Sequence, residues 1–124
     1  MNTVLVVDDD GTNRTLASRL LSKLGWNVAM VEDGGQALAW LAANQADLVL
    51  LDISMPNMSG EDVCRRIRAE TLGGTGLKVT AYTAHAMPED QQRFLANGFD
   101  AVLVKPVSRG RMAEMLAALG FPAE

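Results

Sequence analysis

Cysteine is almost absent from this chain of 124 residues: Cys64 stands alone, which excludes an internal disulfide and any cysteine-rich metal centre. Positive charge is scarce too. Eleven Lys and Arg against fifteen Asp and Glu leave a net charge of -4, with a pI near 4.9. That balance offers no electrostatic footprint for direct contact with nucleic acid or with an anionic membrane. No apolar run approaches membrane-spanning length, and no charged segment followed by an apolar stretch opens the chain. Neither insertion nor export is expected, and a cytoplasmic setting is the default. There is also no repeat, low-complexity tract or linker, and the length suits one hydrophobic core rather than two. A single domain over residues 1–124 is expected.

What is present is a regular alternation. Five aliphatic runs recur: TVLVV (3–7), NVAMV (27–31), DLVLL (47–51), LKVTAY (77–82) and DAVLV (100–104). They are nearly continuous, the pattern of strands covered on both faces. Between them lie segments with helical apolar spacing, marked by Leu16, Leu20, Leu21 and Leu24, then Ala37, Leu38 and Leu41, then Val63 and Ile67, then Phe94 and Leu95, and lastly Met112, Met115, Leu116 and Leu119. Punctuation agrees with this reading. Ser59 and the Pro88-Glu89-Asp90 run suit helix starts, while Gly25, Gly98 and Gly120 suit helix ends. The fold class expected is α/β: a doubly wound, five-stranded parallel sheet of (βα)5 flavodoxin-like form, strand order 2-1-3-4-5.

In such a sheet, ligands bind beyond the carboxyl ends of the strands, near the point where the winding reverses. Asp8, Asp9 and Asp10 follow the first run, Asp52 the third, Thr83 the fourth, and Lys105 and Pro106 the fifth. Glu32 follows the second, but that strand belongs at the outside. Carboxylates so close repel: two unit charges about 4 Å apart cost on the order of 4 kcal/mol at an effective dielectric of about 20. Lys105 offsets part of this, and a hard divalent cation with oxygen ligands, Mg²⁺ for preference, would offset the rest. Carboxylate, metal, hydroxyl and lysine around one cavity suit phosphoryl transfer, and a central aspartate could itself accept the group. Taken singly, each residue has a plainer role. Asp10 before Gly11 and Thr12 reads first as a helix N-cap; Asp52 could start a turn, Thr83 is a good strand former, and Lys105 could be a surface lysine.

The stretches VLVVDDD, LLDISMPNMSG, TAYTAHAMPED and VLVKPV together resemble the receiver domain of two-component response regulators, over nearly the whole chain, and DDDGTNR and TAHAMPED are similar in style to receivers of hybrid histidine kinases. The resemblance implies a phosphoacceptor at Asp52 and Mg²⁺ bound by Asp8, Asp9, Asp52 and the backbone carbonyl of Ser54. It implies a switch hydroxyl at Thr83 and a phosphate-contacting lysine at Lys105. Such a domain is a signalling module rather than an enzyme, though it assists its own phosphotransfer and autodephosphorylation. The implied donor is a phosphohistidine on a sensor histidine kinase or histidine phosphotransfer protein. The implied output is a protein target at the face of the fourth helix, fifth strand and fifth helix, with no direct nucleic-acid or membrane contact.

One position departs from the family pattern. Receivers often carry Tyr or Phe three residues before the lysine, where this chain has Val102, so aromatic switching is not expected from that site. Tyr82 is adjacent to Thr83 and could compensate, but neighbouring strand residues face opposite ways, and a packed or exposed tyrosine is expected there rather than a switching one. His85 is read as a solvent-side loop residue or a modulator of phosphoryl lifetime, as imidazole can donate or accept near neutral pH. Like His85, Ser54 lies where the family tunes water's access to the phosphoryl group. Cys64 and the methionines are expected to pack. Two other readings compete. A receiver-like adaptor would bind partners unphosphorylated, although every charged member of the site is present. DDDGT also resembles the first motif of haloacid dehalogenase-like phosphatases, with Asp8 as nucleophile and Asp10 as acid/base; but only Glu114 and Glu124 supply carboxylates beyond Lys105. The chain ends soon after the last helical segment, which fits a stand-alone regulator, slightly favoured by Met1, or a receiver taken from a longer protein.

Overall fold

The computed structural model describes residues 2–121. Strands and helices alternate: β1 Thr3–Val7, α1 Gly11–Lys23, β2 Asn27–Val31, α2 Gly34–Ala43, β3 Leu48–Asp52, α3 Gly60–Glu70, β4 Lys78–Thr83, α4 Pro88–Ala96, β5 Ala101–Val104 and α5 Arg109–Ala118. The strands form one parallel sheet in the order β2-β1-β3-β4-β5, the expected topology. Reversal of the winding at β1 leaves β1 and β3 side by side, with Val7 opposite Leu51, and their ends open onto one crevice.

Side chains alternate across each strand, and this splits the core in two. Val4, Val6, Leu48, Leu50, Tyr82 and Leu103 pack under α1 and α5 against Ala17, Leu21, Met112 and Leu116. Leu5, Val7, Val49, Leu51, Val79 and Ala81 pack on the other face against α2, α3 and α4, through Leu41, Val63, Ile67 and Phe94. Helix starts are fixed by side-chain caps: Asp33 accepts from Gln36 N, Ser59 from Asp62 N and Ser108 from Arg111 N. Ahead of α4 the carboxylate of Asp90 accepts from Met87 N, with Pro88 in the first turn. At the far end of the sheet Arg68 of α3 donates to the carbonyls of Gly98 and Leu77 and pairs with Asp100, which also accepts from Val79 N. There too the Trp26 and Phe121 rings meet edge to face, their centroids 4.9 Å apart.

Several expectations need correction. β2 is not covered on both faces: none of its residues is fully buried, and Met30 is 54% exposed. An edge strand has one sheet neighbour, and the helices flanking it leave its rim in solvent. Met30 therefore does not pack, and Met87, ahead of α4, is also exposed, whereas Met112, Met115 and Cys64 are buried. Leu16 and Leu95 are exposed as well. On α4 the inward position falls to Phe94, and a residue one step along a helix is turned about 100° away. Asp52 and Thr83 lie within their strands rather than just beyond them, as Asp52 still pairs with Tyr82 and Thr83 with Val104.

Candidate functional site

Strand parity places the polar side chains. Asp8 is two residues past Val6, Asp52 two past Leu50 and Lys105 two past Leu103, so all three continue the α1/α5 face upward from the apolar core. Thr83, two past Ala81, and Asp9, two past Val7, continue the opposite face. The two sets meet over the ends of β1 and β3. Asp8 is wholly buried and Asp52 nearly so, and one oxygen from each of Asp8, Asp9 and Asp52 lies within 4.8 Å of the others. Lys105 reaches into this group, its Nζ 3.1 Å from Asp8 Oδ2 and 3.2 Å from Asp52 Oδ1.

Backbone donors hold the carboxylates. Asp10 N donates to Asp8 Oδ1 at 2.9 Å, and Ser54 N donates to Asp52 Oδ1 at 3.2 Å. Burial, with the neighbouring Asp8 charge adding to it and Lys105 opposing, pushes the Asp52 carboxyl up to about 7. For Lys105, burial works against the charged form, but the two carboxylates outweigh it and hold the ammonium above its usual range. The site is thus an acidic pocket in which three carboxylates face one ammonium.

The residues present fit a hard divalent cation. All donors are oxygen, no thiol or imidazole intrudes, and Asp8 Oδ2, though paired with Lys105 by charge, is aligned for no hydrogen bond. The Asp10 side chain takes no part: its carboxylate accepts from Thr12 N and Asn13 N at 2.8 and 3.2 Å, capping α1. Of the other anticipated residues, Thr83 is buried, and its Oγ1 donates to the His85 carbonyl and accepts from His85 N, at 3.0 and 3.2 Å. His85 is exposed. Val102 is half-buried against the α3 side of the core. Tyr82 is fully buried on the α1/α5 face, and among the described residues its hydroxyl has no hydrogen-bond partner.

Three features escaped the sequence reading. Arg14 in the first turns of α1 donates to the Asp8 carbonyl at 2.7 Å and reaches Glu32 at 3.4 Å, bracing the acidic turn from behind. Gly60 opens α3 so tightly against the end of β3 that a Cβ there would lie 2.2 Å from the Asp52 carbonyl oxygen. The third is the contact of Lys105 with Tyr82: Nζ stands 4.8 Å from the ring centroid. Only the glycine had a visible sign, its place directly after the Ser59 cap.

A parallel (βα)5 sheet whose strand ends gather two buried aspartates, an exposed third, a hydroxyl and a lysine defines a class of α/β domains with an acidic crevice at the carboxyl edge. The chain belongs to the response regulator receiver domain family, whose pattern matches residues 4–117. It is 43% identical over 114 residues to the sensor histidine kinase RcsC of Salmonella typhi, covering 92% of this chain and 12% of that protein. It is 39% identical over 118 residues to the sensor histidine kinase AruS of Pseudomonas aeruginosa, covering 94% and 12% respectively. The chain therefore spans about an eighth of the length of these curated relatives. Among solved structures, the chemotaxis protein CheY4 of Vibrio cholerae superposes with a TM-score of 0.88 at 28% identity, over 96% of this chain and 98% of that one. The receiver domain of the sensor histidine kinase PA1611 from Pseudomonas aeruginosa, which has a magnesium ion coordinated in its active-site cleft, gives 0.84 at 30% identity over 96% and 98%. Membership of this family displaces the phosphatase reading, in agreement with the engagement of Asp10 as a cap.

Proposed function

We propose that this chain acts as one receiver domain that accepts a phosphoryl group on Asp52 and converts that event into a change at a protein-binding face. The observation that carries the proposal is the buried Asp52 carboxylate, within 3.2 Å of Lys105 and clustered with Asp8 and Asp9. Its donor is a phosphohistidine on a sensor histidine kinase or histidine phosphotransfer protein. An Asp52 carboxylate oxygen attacks phosphorus, a P–O bond forms as the P–N bond breaks, and the bonding pair leaves on the imidazole nitrogen. Mg²⁺, bound by Asp8, Asp9, Asp52 and the Ser54 backbone carbonyl, would supply positive charge against the phosphoryl oxygens. Lys105 places its ammonium on the same oxygens. Thr83 exchanges its bonds to His85 for one to the phosphoryl group, which releases the loop ahead of α4 and biases a two-state equilibrium.

The face so biased is that of α4, β5 and α5, where Met87, Leu95 and Val104 expose apolar surface suited to a protein target. Neither nucleic acid nor membrane is a direct partner in this reading, and the setting is the cytoplasm; among the described residues no helix is long and apolar enough to cross a membrane. Autodephosphorylation returns the domain to rest when water attacks phosphorus, with His85 and Ser54 at the rim where that water enters. The test is incubation with acetyl phosphate, with and without Mg²⁺, followed by intact mass spectrometry. One metal-dependent phosphoryl adduct in the wild type and none in Asp52→Asn is the expected result. No adduct despite measurable Mg²⁺ binding would replace this reading with that of an unphosphorylated adaptor.

A further inference from the structure

Lys105 is the first residue past β5, and a lysine is a point charge on a flexible stem, poorly aimed by ionic attraction alone. In this chain its ammonium has three neighbours: Asp8 Oδ2 at 3.1 Å, Asp52 Oδ1 at 3.2 Å, and the Tyr82 ring, with its centroid at 4.8 Å. We propose that Tyr82 is a positioning residue, its ring face forming the platform that holds the Lys105 ammonium over Asp8 and Asp52. The proposal rests on the reading of Asp52 as phosphoacceptor and deepens it.

The geometry follows from the sheet. Tyr82 pairs with Leu103 across the β4–β5 ladder, and Lys105, two residues beyond Leu103, returns to the same face, above the ring. That Tyr82 faces away from Thr83 is what puts it there. The ring rather than the phenol faces the ammonium: Nζ lies 4.8 Å from the ring centroid, and among the described residues the buried hydroxyl has no hydrogen-bond partner. The ring face is electron-rich and attracts a cation most strongly where water is excluded, and Tyr82 is fully buried while Lys105 is largely so. Conversion of Asp52 to an acyl phosphate changes one of the two carboxylate contacts. The contact with the ring survives that change, so it keeps the ammonium in place from the free carboxylate to the phosphorylated state.

The test uses the whole chain, with acetyl phosphate and Mg²⁺, and compares the rate of adduct formation in wild type, Tyr82→Phe and Tyr82→Leu. Phenylalanine should react within about twofold of wild type, and leucine about threefold to tenfold more slowly, with Mg²⁺ affinity unchanged in calorimetric titration. In carbon–proton correlation spectra the Lys105 ε-methylene should be shifted upfield by the ring in wild type and Tyr82→Phe, and should lose that shift in Tyr82→Leu. A folded leucine variant as fast as wild type would overturn the proposal, and so would a phenylalanine variant as slow as leucine. If leucine does not fold, an unshifted ε-methylene in the wild type is enough to overturn it. Absence of any adduct in the wild type would instead sink the phosphoacceptor reading, and the methylene shift would still decide whether the ring holds the lysine.

Discussion

The two faces of the sheet handle polarity differently. Under α1 and α5 the polar groups are deep and mutually tied: Asp8 and Asp52 are buried, Lys105 spans both, and Tyr82 lies beneath the ammonium. On the α4 side the polar ties are shallow and exchangeable. The Thr83 hydroxyl bonds the adjacent loop at His85, and α4 is linked to α3 by Glu61, which accepts from Arg93 and Asn97 at 3.3 and 3.0 Å near the surface. Surface pairs of this kind are worth about 0–1 kcal/mol, whereas breaking a buried pair costs several. One face is built to keep charges in place and the other to let a helix shift at small cost.

Gly60 is the sharpest place to break that contrast, as it seats α3 on the end of β3. A Cβ at 2.2 Å from the Asp52 carbonyl oxygen and 2.9 Å from Ile53 Cα would meet backbone on a strand that cannot yield. Gly60→Ala should lose about 3 kcal/mol in urea unfolding. An unchanged midpoint would mean that the strand end is pliant and the charged face no more rigid than the other.

The second effect is electrostatic. The Asp52 carboxyl stands at about 7 in the folded chain against 3.8 as its ordinary value. Between those limits the folded state keeps a proton that the unfolded state has released, so metal-free stability should fall as pH rises through this window. Asp52→Asn removes the term, and in chelator at pH 8 it should be more stable than wild type by on the order of 2 kcal/mol, the advantage vanishing below about pH 4. Equal melting of the two at pH 8 would show that Lys105 already neutralises the pocket. The smallest effect sharpens the other side: Glu61→Ala should cost less than about 1 kcal/mol, yet raise amide exchange in α4 while leaving β1 and β3 unchanged.

Much of this was legible in the residues, for a physical reason. A run such as VLVV ending at Asp8, or LVLL ending at Asp52, marks a buried strand meeting the crevice, and period two then assigns each acid to a face. The topology and the caps at Asp10 and Ser59 followed from the same local chemistry. What could not be read locally was contact between distant positions. Arg14 reads as a surface residue of a helix until the carbonyl of Asp8 is placed beside it. The parity that separates Tyr82 from Thr83 was readable, but it counted against a role for Tyr82, because the register of β5 that brings Lys105 above the ring is not a property of either segment alone. The exposure of Met30 was missed for a similar reason, since its surroundings depend on what covers the rim.

The edge-to-face meeting of Trp26 and Phe121 has an architectural consequence. Asn27 donates its amide to the Asn2 carbonyl, so both termini of the described chain are moored at one corner, at the end of the sheet away from Asp52. The two ends of the described chain are thus neighbouring doorways, both at the end of the sheet remote from the acidic crevice. The fold resembles a plug-in cartridge, its two ends together on one side and its acidic mouth on the other.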